Sequence, residues 1–383
     1  MQKKIIALAI AGLSSVAFAQ SNVTISGQFR VGIDSVSAGG ATAAGANLTS
    51  RMRVTDENST LRFAGEEKLG NGMTAWFQVE SAIGTSDNIG TTGAQGGGAN
   101  SATIGTRNTA VGIKGNWGNF FVGKWDTHYS SHVGVDSSGL AAHSGALTTN
   151  SLSILHTNNG ANGAGGRFNN AIMYASPNWS GFAFNLGYST TAGAGGVGNE
   201  STAAGVDKER NIWISPSYSN GPIHVVYSYL KRDDVGNAAA GTSPDAKFNR
   251  LGGAYTFPMG IKVGLIWDKN STTTAAGVET KRTAWALPLS YVTGPHTVAF
   301  TYAKANNSNV GGADVVNSNA KMTMLGYTYA MSKRTSVAAS WWGINNDTAA
   351  TYDGWHPSSN VSAAAMPAGA DPRKFTLQMN HTF

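Results

Sequence analysis

The chain has 383 residues, a formal net charge of +6, only 13% charged residues, 49 glycines and no cysteine. This balance excludes a charged disordered chain and a disulfide-stapled secreted scaffold. Basic residues never cluster beyond pairs such as Lys231-Arg232, so a nucleic-acid partner is not expected.

The N-terminus reads as a secretory signal peptide. Lys3 and Lys4 form a positive n-region, Ile5 to Leu13 an apolar run, and Ala17-Phe18-Ala19 a small-x-small cleavage site. Residues 1–19 are therefore assigned to the signal and 20–383 to a single domain. No later apolar run is long enough for a transmembrane helix.

The mature segment opens on alternation. Val23, Ile25, Phe29, Val31 and Ile33 share one face of a strand, and Thr24, Ser26, Gln28, Arg30 and Asp34 share the other. Further along, Ile223, Val225, Tyr227 and Tyr229 alternate with His224, Ser228 and Arg232; Ile261, Val263, Leu265 and Trp267 alternate with Lys262, Gly264 and Asp268; Trp285, Leu287, Leu289 and Tyr291 alternate with Arg282, Ala284, Ala286 and Ser290. The final segment, Arg373 to Phe383, puts Phe375, Leu377, Met379, His381 and Phe383 on one face and Lys374, Thr376, Gln378, Asn380 and Thr382 on the other, then stops on the aromatic. Segments with one oily and one polar face suit a closed barrel, which pairs every backbone group between strands and can enter lipid while keeping a wet interior.

Connections alternate between short and long. Gly70-Asn71-Gly72, Asn116 to Asn119, Pro177-Asn178-Trp179, Ser219 to Pro222, Pro258-Met259-Gly260, Thr293-Gly294-Pro295 and Met331-Ser332-Lys333 are tight turns. Long polar stretches fill the other gaps, at about 35–56, 85–105, 127–168, 191–207, 233–245, 270–280, 306–319 and 346–372. Seven turns and eight loops give an all-β, antiparallel, up-and-down transmembrane β-barrel of 16 strands. A barrel of this size leaves an aqueous channel. A soluble sandwich also alternates, but it does not interleave short and long connections in this way. Trp117, Trp125, Trp179, Tyr188, Tyr218, Tyr255, Tyr291, Tyr327 and Tyr329 fall near strand ends, where interfacial girdles sit.

Several segments together resemble the general porins of Gram-negative bacteria, of the trimeric sixteen-strand β-proteobacterial and Neisseria type. They are Asn58 to Gly72, Ala110 to Gly118, Val122 to Asp126, Asn170 to Pro177, Ser332 to Ser336, Gly369 to Pro372 and the terminal Phe383. The resemblance spans nearly the whole mature chain. It implies an outer-membrane homotrimer, a third loop folded into the lumen, and passive diffusion of small hydrophilic solutes past basic wall residues that face acids on that loop.

The third loop, Thr127 to Phe168, is the longest, and loops of that length are usually functional. Asp126 and Asp136 are the candidate acids at its start. Arg30, Arg62, Lys114, Arg250 and Arg282 fall on inward-facing positions by alternation. Lys124 matches the position of a constriction arginine in the family, although alternation does not fix its side. Thr60, Ala64, Met173 and Ala175 stand where the family often carries bases, so the basic ladder looks thin. Glu80 reads either as a wall acid or as the partner of a neighbouring arginine. His128, His132, His143 and His156 lie in or beside the loop. They read as solvated polarity, with pH-responsive conductance as the alternative. His128 and His132 lack an evident third ligand, so no metal or other cofactor is expected. Lys208, Arg210 and Arg107 are expected to meet lipopolysaccharide or solvent.

No Gly-x-Ser-x-Gly elbow and no His-Glu-x-x-His motif occurs, and an enzyme is not expected. A channel selective for sugars or organic anions is the nearer alternative, kept open by Trp76, Trp213 and Trp342 on inward positions.

Overall fold

The computed structural model describes residues 22–57, 59–83, 104–127, 129, 135, 154–155, 167–190, 210–233, 245–274, 276–353 and 366–383. The proposed signal, His128, His132, His143, His156, Asp136 and Lys208 lie outside them.

Among the described residues one closed sheet holds every strand. In chain order these are β1 (Asn22–Gly39), β2 (Leu48–Asp56), β3 (Thr60–Gly70), β4 (Met73–Ala82), β5 (Thr109–Gly115), β6 (Gly118–Asp126), β7 (Arg167–Ala175), β8 (Phe182–Ser189), β9 (Arg210–Asn220), β10 (Ile223–Asp233), β11 (Asp245–Thr256), β12 (Ile261–Thr273), β13 (Glu279–Thr293), β14 (His296–Ala305), β15 (Asn309–Val310), β16 (Ala313–Asp314), β17 (Ala320–Ala330), β18 (Thr335–Asn346) and β19 (Asp371–Thr382). β2 and β3 are two halves of one barrel strand, because both pair with β1, β2 along its upper half and β3 along its lower. β15 and β16 form a small hairpin inside a loop. Counted this way, the barrel has sixteen strands.

All seven tight connections fall where turn chemistry placed them. Asn71 sits at φ 50° between Gly70 and Gly72, and the Asn178 side chain accepts a hydrogen bond from the Gly181 amide at 2.7 Å. On the opposite rim two expected loops are shorter. β1 and β2 continue upward so that only 40–47 remain of the first, and 274–278 remain of the sixth.

Closure joins the two ends. β1 pairs with β19 from Gln28↔Thr382 to Gly39↔Asp371, and Gly27 and Phe383 exchange backbone hydrogen bonds at 3.2 Å. The Phe383 ring stacks on Phe29 with centroids 5.6 Å apart. Pairing every strand leaves no unsatisfied sheet edge in lipid. Phe375, Leu377 and Met379 face outward while Lys374, Thr376 and Gln378 are buried inside, as the alternation predicts.

The β2–β3 strand breaks at 57–59. There the Glu57 amide donates to the Arg30 carbonyl at 2.8 Å, and Ser59 Oγ accepts from the Arg30 amide at 2.9 Å. The break turns the Glu57 carboxylate toward Lys374, which also lies 3.0 Å from Asp34. Arg53 reaches Asp34 at 3.4 Å. Two acids and two bases thus neutralise one another across the closing strands.

The aromatic girdles are only partly as expected. Trp117, Trp179, Tyr218, Tyr255, Tyr291, Tyr327 and Tyr329 are exposed on the outer face near the turns. Trp125 instead packs against Phe121 and Trp76, with centroids 5.0 and 6.0 Å away. A register shift between Gly123 and Trp125 turns it to that side.

Candidate functional site: the lumen wall and the third loop

Besides the quartet at the closing strands, the inner wall carries two further charged groups among the described residues. The first spans β1 to β7. Arg62 and Glu80 are register partners on β3 and β4, and Arg62 Nε and Nη2 donate to Glu80 Oε2 at 3.0 and 2.5 Å. Arg107, just before β5, donates from Nε to the other oxygen of Glu80 at 2.8 Å. Arg167 opens β7 and lies 3.3 Å from Asp126 at the end of β6. Asn108 Oδ1 binds both, accepting from Arg167 Nε and from the Asp126 amide at 3.1 Å. Lys124 sits at the β6 register shift within the field of Arg167, and Arg30 within the field of Arg107. Arg62, Arg107 and Arg167 thus pair with Glu80 and Asp126, Lys124 has no ion pair among the described residues, and Arg30 also lies in the field of Glu57 and Asp56.

The second group holds the third loop. Arg250 on β11 and Asp268 on β12 are register partners with Nε and Oδ2 3.0 Å apart. Arg250 also donates to the carbonyls of Tyr129 and Leu155, at 2.7 and 2.5 Å, and its guanidinium lies 4.2 Å from the Tyr129 ring centroid. The Tyr129 hydroxyl donates to Asp268. Tyr129 belongs to the loop, outside the spanning strands, and burial pushes its hydroxyl well above the usual range, so it remains a neutral donor. Arg282 lies 3.9 Å from the other Asp268 oxygen and donates to Tyr352 at 3.2 Å.

Below this latch the contact is apolar. Val135, Ile154 and Leu155 of the loop pack on Ala254, Ile266, Ala284 and Ala286 in one buried cluster that continues to Met322, Met324 and Trp342. Gly252 and Gly264 make the room. A Cβ on Gly252 would stand 2.9 Å from Val135 Cγ2, and one on Gly264 would stand 2.7 Å from the Val135 carbonyl oxygen. A Gly264→Val side chain is expected to push the loop toward the barrel axis and lower single-channel conductance. An unchanged step in planar bilayers would contradict this placement of the loop.

The residues singled out from sequence are thus scattered. Arg30, Arg62 and Lys124 fall in the first group, but Asp126 pairs with the wall residue Arg167 instead of facing the wall from the loop. Arg250 and Arg282 are buried at the latch. Lys114 is register partner to Thr74, six residues along β4 from Glu80. That places it about 20 Å nearer the turns, where it pairs with Glu66. Glu80 is the arginine partner that was one of its two readings.

Arg107 and Arg167 were missed as wall cations. Arg107 was expected to meet lipid or solvent, but it precedes its strand and turns in to Glu80. Arg167 lies before Asn170, whose φ of 49° interrupts the alternation of β7. Trp213 and Trp342 are each only 1% exposed and form no accessible aromatic track. Trp213 instead stacks on Phe168 at 5.4 Å.

A sixteen-strand barrel with an inward third loop and a basic inner wall has clear relatives. The Gram-negative porin family matches residues 6–349. The chain belongs to that family. An outer membrane porin protein of Bordetella pertussis is 28% identical over 88% of this chain and 93% of its own length. Among solved structures, an anion-selective porin from Comamonas acidovorans superposes with a TM-score of 0.70 at 24% identity, covering 95% of this chain and all of that one. OmpT, an outer membrane protein of Vibrio cholerae, in its trimer form gives 0.63 at 14% identity over 95% and 99%. This porin resides in the outer membrane of a Gram-negative bacterium, where it forms a water-filled channel.

Proposed function

We propose that this porin passes small hydrophilic solutes with a mild preference for anions, and that the preference arises along the wall carrying Arg30, Arg62, Arg107, Lys124 and Arg167. The carrying observation is the imbalance there: Arg62, Arg107 and Arg167 pair with Glu80 and Asp126, Lys124 has no ion pair among the described residues, and Arg30 lies between Arg107 and the carboxylates of Glu57 and Asp56. Fixed charge lining a narrow passage selects ions by sign. The anion selectivity in the name of the Comamonas structure agrees with this reading.

The working form is a homotrimer in contact with lipopolysaccharide, released from its signal peptide after Ala19. The trimer form of the OmpT structure supports the assembly. The channel carries no catalytic role, and no cofactor is required for diffusion. Under a tenfold KCl gradient in a planar bilayer, the reversal potential should lie on the anion side, well short of the ideal limit of about 59 mV. A cation-side reversal would overturn the assignment.

A further inference from the structure

The outer wall has a basic cleft that conduction does not use. Lys269 on β12, Lys281 on β13, Lys304 on β14 and Lys321 on β17 line a space of about 590 Å³, together with Asn309 and Asp314 of the β15–β16 hairpin. All four lysines share the outward parity of their strands, being followed or preceded by buried Asn270, Arg282, Ala305 and Met322. Two residues toward the turns on β12 and β14 stand Trp267 and Tyr302, and Trp285 packs on Tyr302 with centroids 5.4 Å apart. A step of two residues is about 7 Å along a strand. The ammonium groups therefore sit just above an aromatic belt, at the depth of lipid headgroups on the loop side of the barrel.

The arrangement is electrostatically costly in the chain alone. Lys304 and Lys321 are direct register partners, and like charges so placed destabilise a sheet. Lys281 has Glu279 at 2.7 Å. Among the described residues no ion pair forms with Lys269, Lys304 or Lys321, and Asp314 is the one carboxylate lining the cleft, its Oδ1 taken by Asn309 at 2.9 Å. The hairpin fixes the upper edge, because Asn309 and Val310 pair with Lys281 and Thr280 of β13. Several cations converging beside the hydrocarbon boundary, with too little acid among them, call for an anion that arrives from the membrane.

We propose that this cleft binds the phosphate groups of an outer-leaflet lipid headgroup, that of lipopolysaccharide, and seats the lipid across β12, β13, β14 and β17. The site rests on the outer-membrane placement above and gives the proposed lipid contact an address. Of the residues whose sequence positions suggested such a contact, Arg210 on β9 and Arg107 before β5 belong to other strands, and Lys208 lies outside the described residues.

Native mass spectrometry of the detergent-extracted protein tests it, with diphosphorylated lipopolysaccharide, its dephosphorylated form, and inorganic pyrophosphate as separate probes. The parent should retain the diphosphorylated lipid. The Lys304→Gln/Lys321→Gln double variant should lose on the order of tenfold in retention. Lys304→Arg/Lys321→Arg should keep it, as should the turn-side control Lys333→Gln/Arg334→Gln. Equal retention by the Gln variant and the parent, or equal retention of the dephosphorylated lipid, overturns the proposal. Pyrophosphate that binds as tightly as the lipid and displaces it also overturns it, assigning the cleft to a soluble anion. Should the Gln variant fail to fold, the comparison of the two lipids on the parent decides alone. Conductance recorded on the same preparations reports separately on the channel.

Discussion

Asp268→Ala is expected to produce the largest loss of stability of any single lumen substitution. Asp268 accepts from Arg250, Tyr129 and Asn270 and faces Arg282. The side chains of Arg250 and Arg282 are 3% and 2% exposed beside it. Removing one partner of a buried pair costs about 3–5 kcal/mol, because the remaining charge stays out of water. Here two guanidinium groups are stranded, and the third loop loses the acceptor for its tyrosine. The unfolding midpoint in detergent should fall sharply, and single-channel records should replace one steady level with several. Asp268→Asn keeps the shape without the charge and should fall between parent and Ala. A midpoint unchanged by Asp268→Ala would show that the latch contributes nothing.

The Arg30→Gln/Lys124→Gln double variant should move the reversal potential toward the cation side while leaving stability nearly unchanged. Neither side chain has an ion pair among the described residues, and Glu57 and Asp56, whose field Arg30 shares, keep Lys374 and the Ser59 amide as partners. Glu80→Gln should act in the opposite direction, since Arg62 and Arg107 lose the carboxylate they share, and it should also lower stability. Both shifts should shrink between 0.1 M and 1 M salt, as the screening length contracts from about 10 Å to about 3 Å. A double variant with the parent's reversal potential at 0.1 M would remove this wall from the selectivity.

The architecture was legible because alternation and turn chemistry are local. Each strand declares its two faces, and Gly, Asn and Pro mark its ends. Alternation says which side a residue faces, not what covers it. Arg250 and Arg282 were placed inward by parity, yet both are covered, Arg250 by Tyr129 and Leu155 of the third loop and Arg282 by Tyr352. The same limit hid the apolar patch under that loop: Ala284, Ala286, Met322 and Met324 look like an open wall until Val135, Ile154 and Leu155 are laid over them. Where the backbone departs from regular pairing, at 57–59, at Gly123–Trp125 and at Asn170, period-two reasoning fails, and Lys124 and Arg167 lie beside such places.

The balanced quartet of Lys374, Asp34, Glu57 and Arg53 has a consequence for assembly. Lys374 and Glu57 are 317 positions apart in the chain, so their meeting depends on nearly the whole polypeptide being in place. Long-range pairing of this kind is slow. A one-residue slip of β19 would turn Lys374 out into hydrocarbon and Phe375 into the water-filled bore. The quartet therefore acts as a proofreading seam: only the correct alignment of last strand on first lets the cylinder seal without stranding a charge in oil.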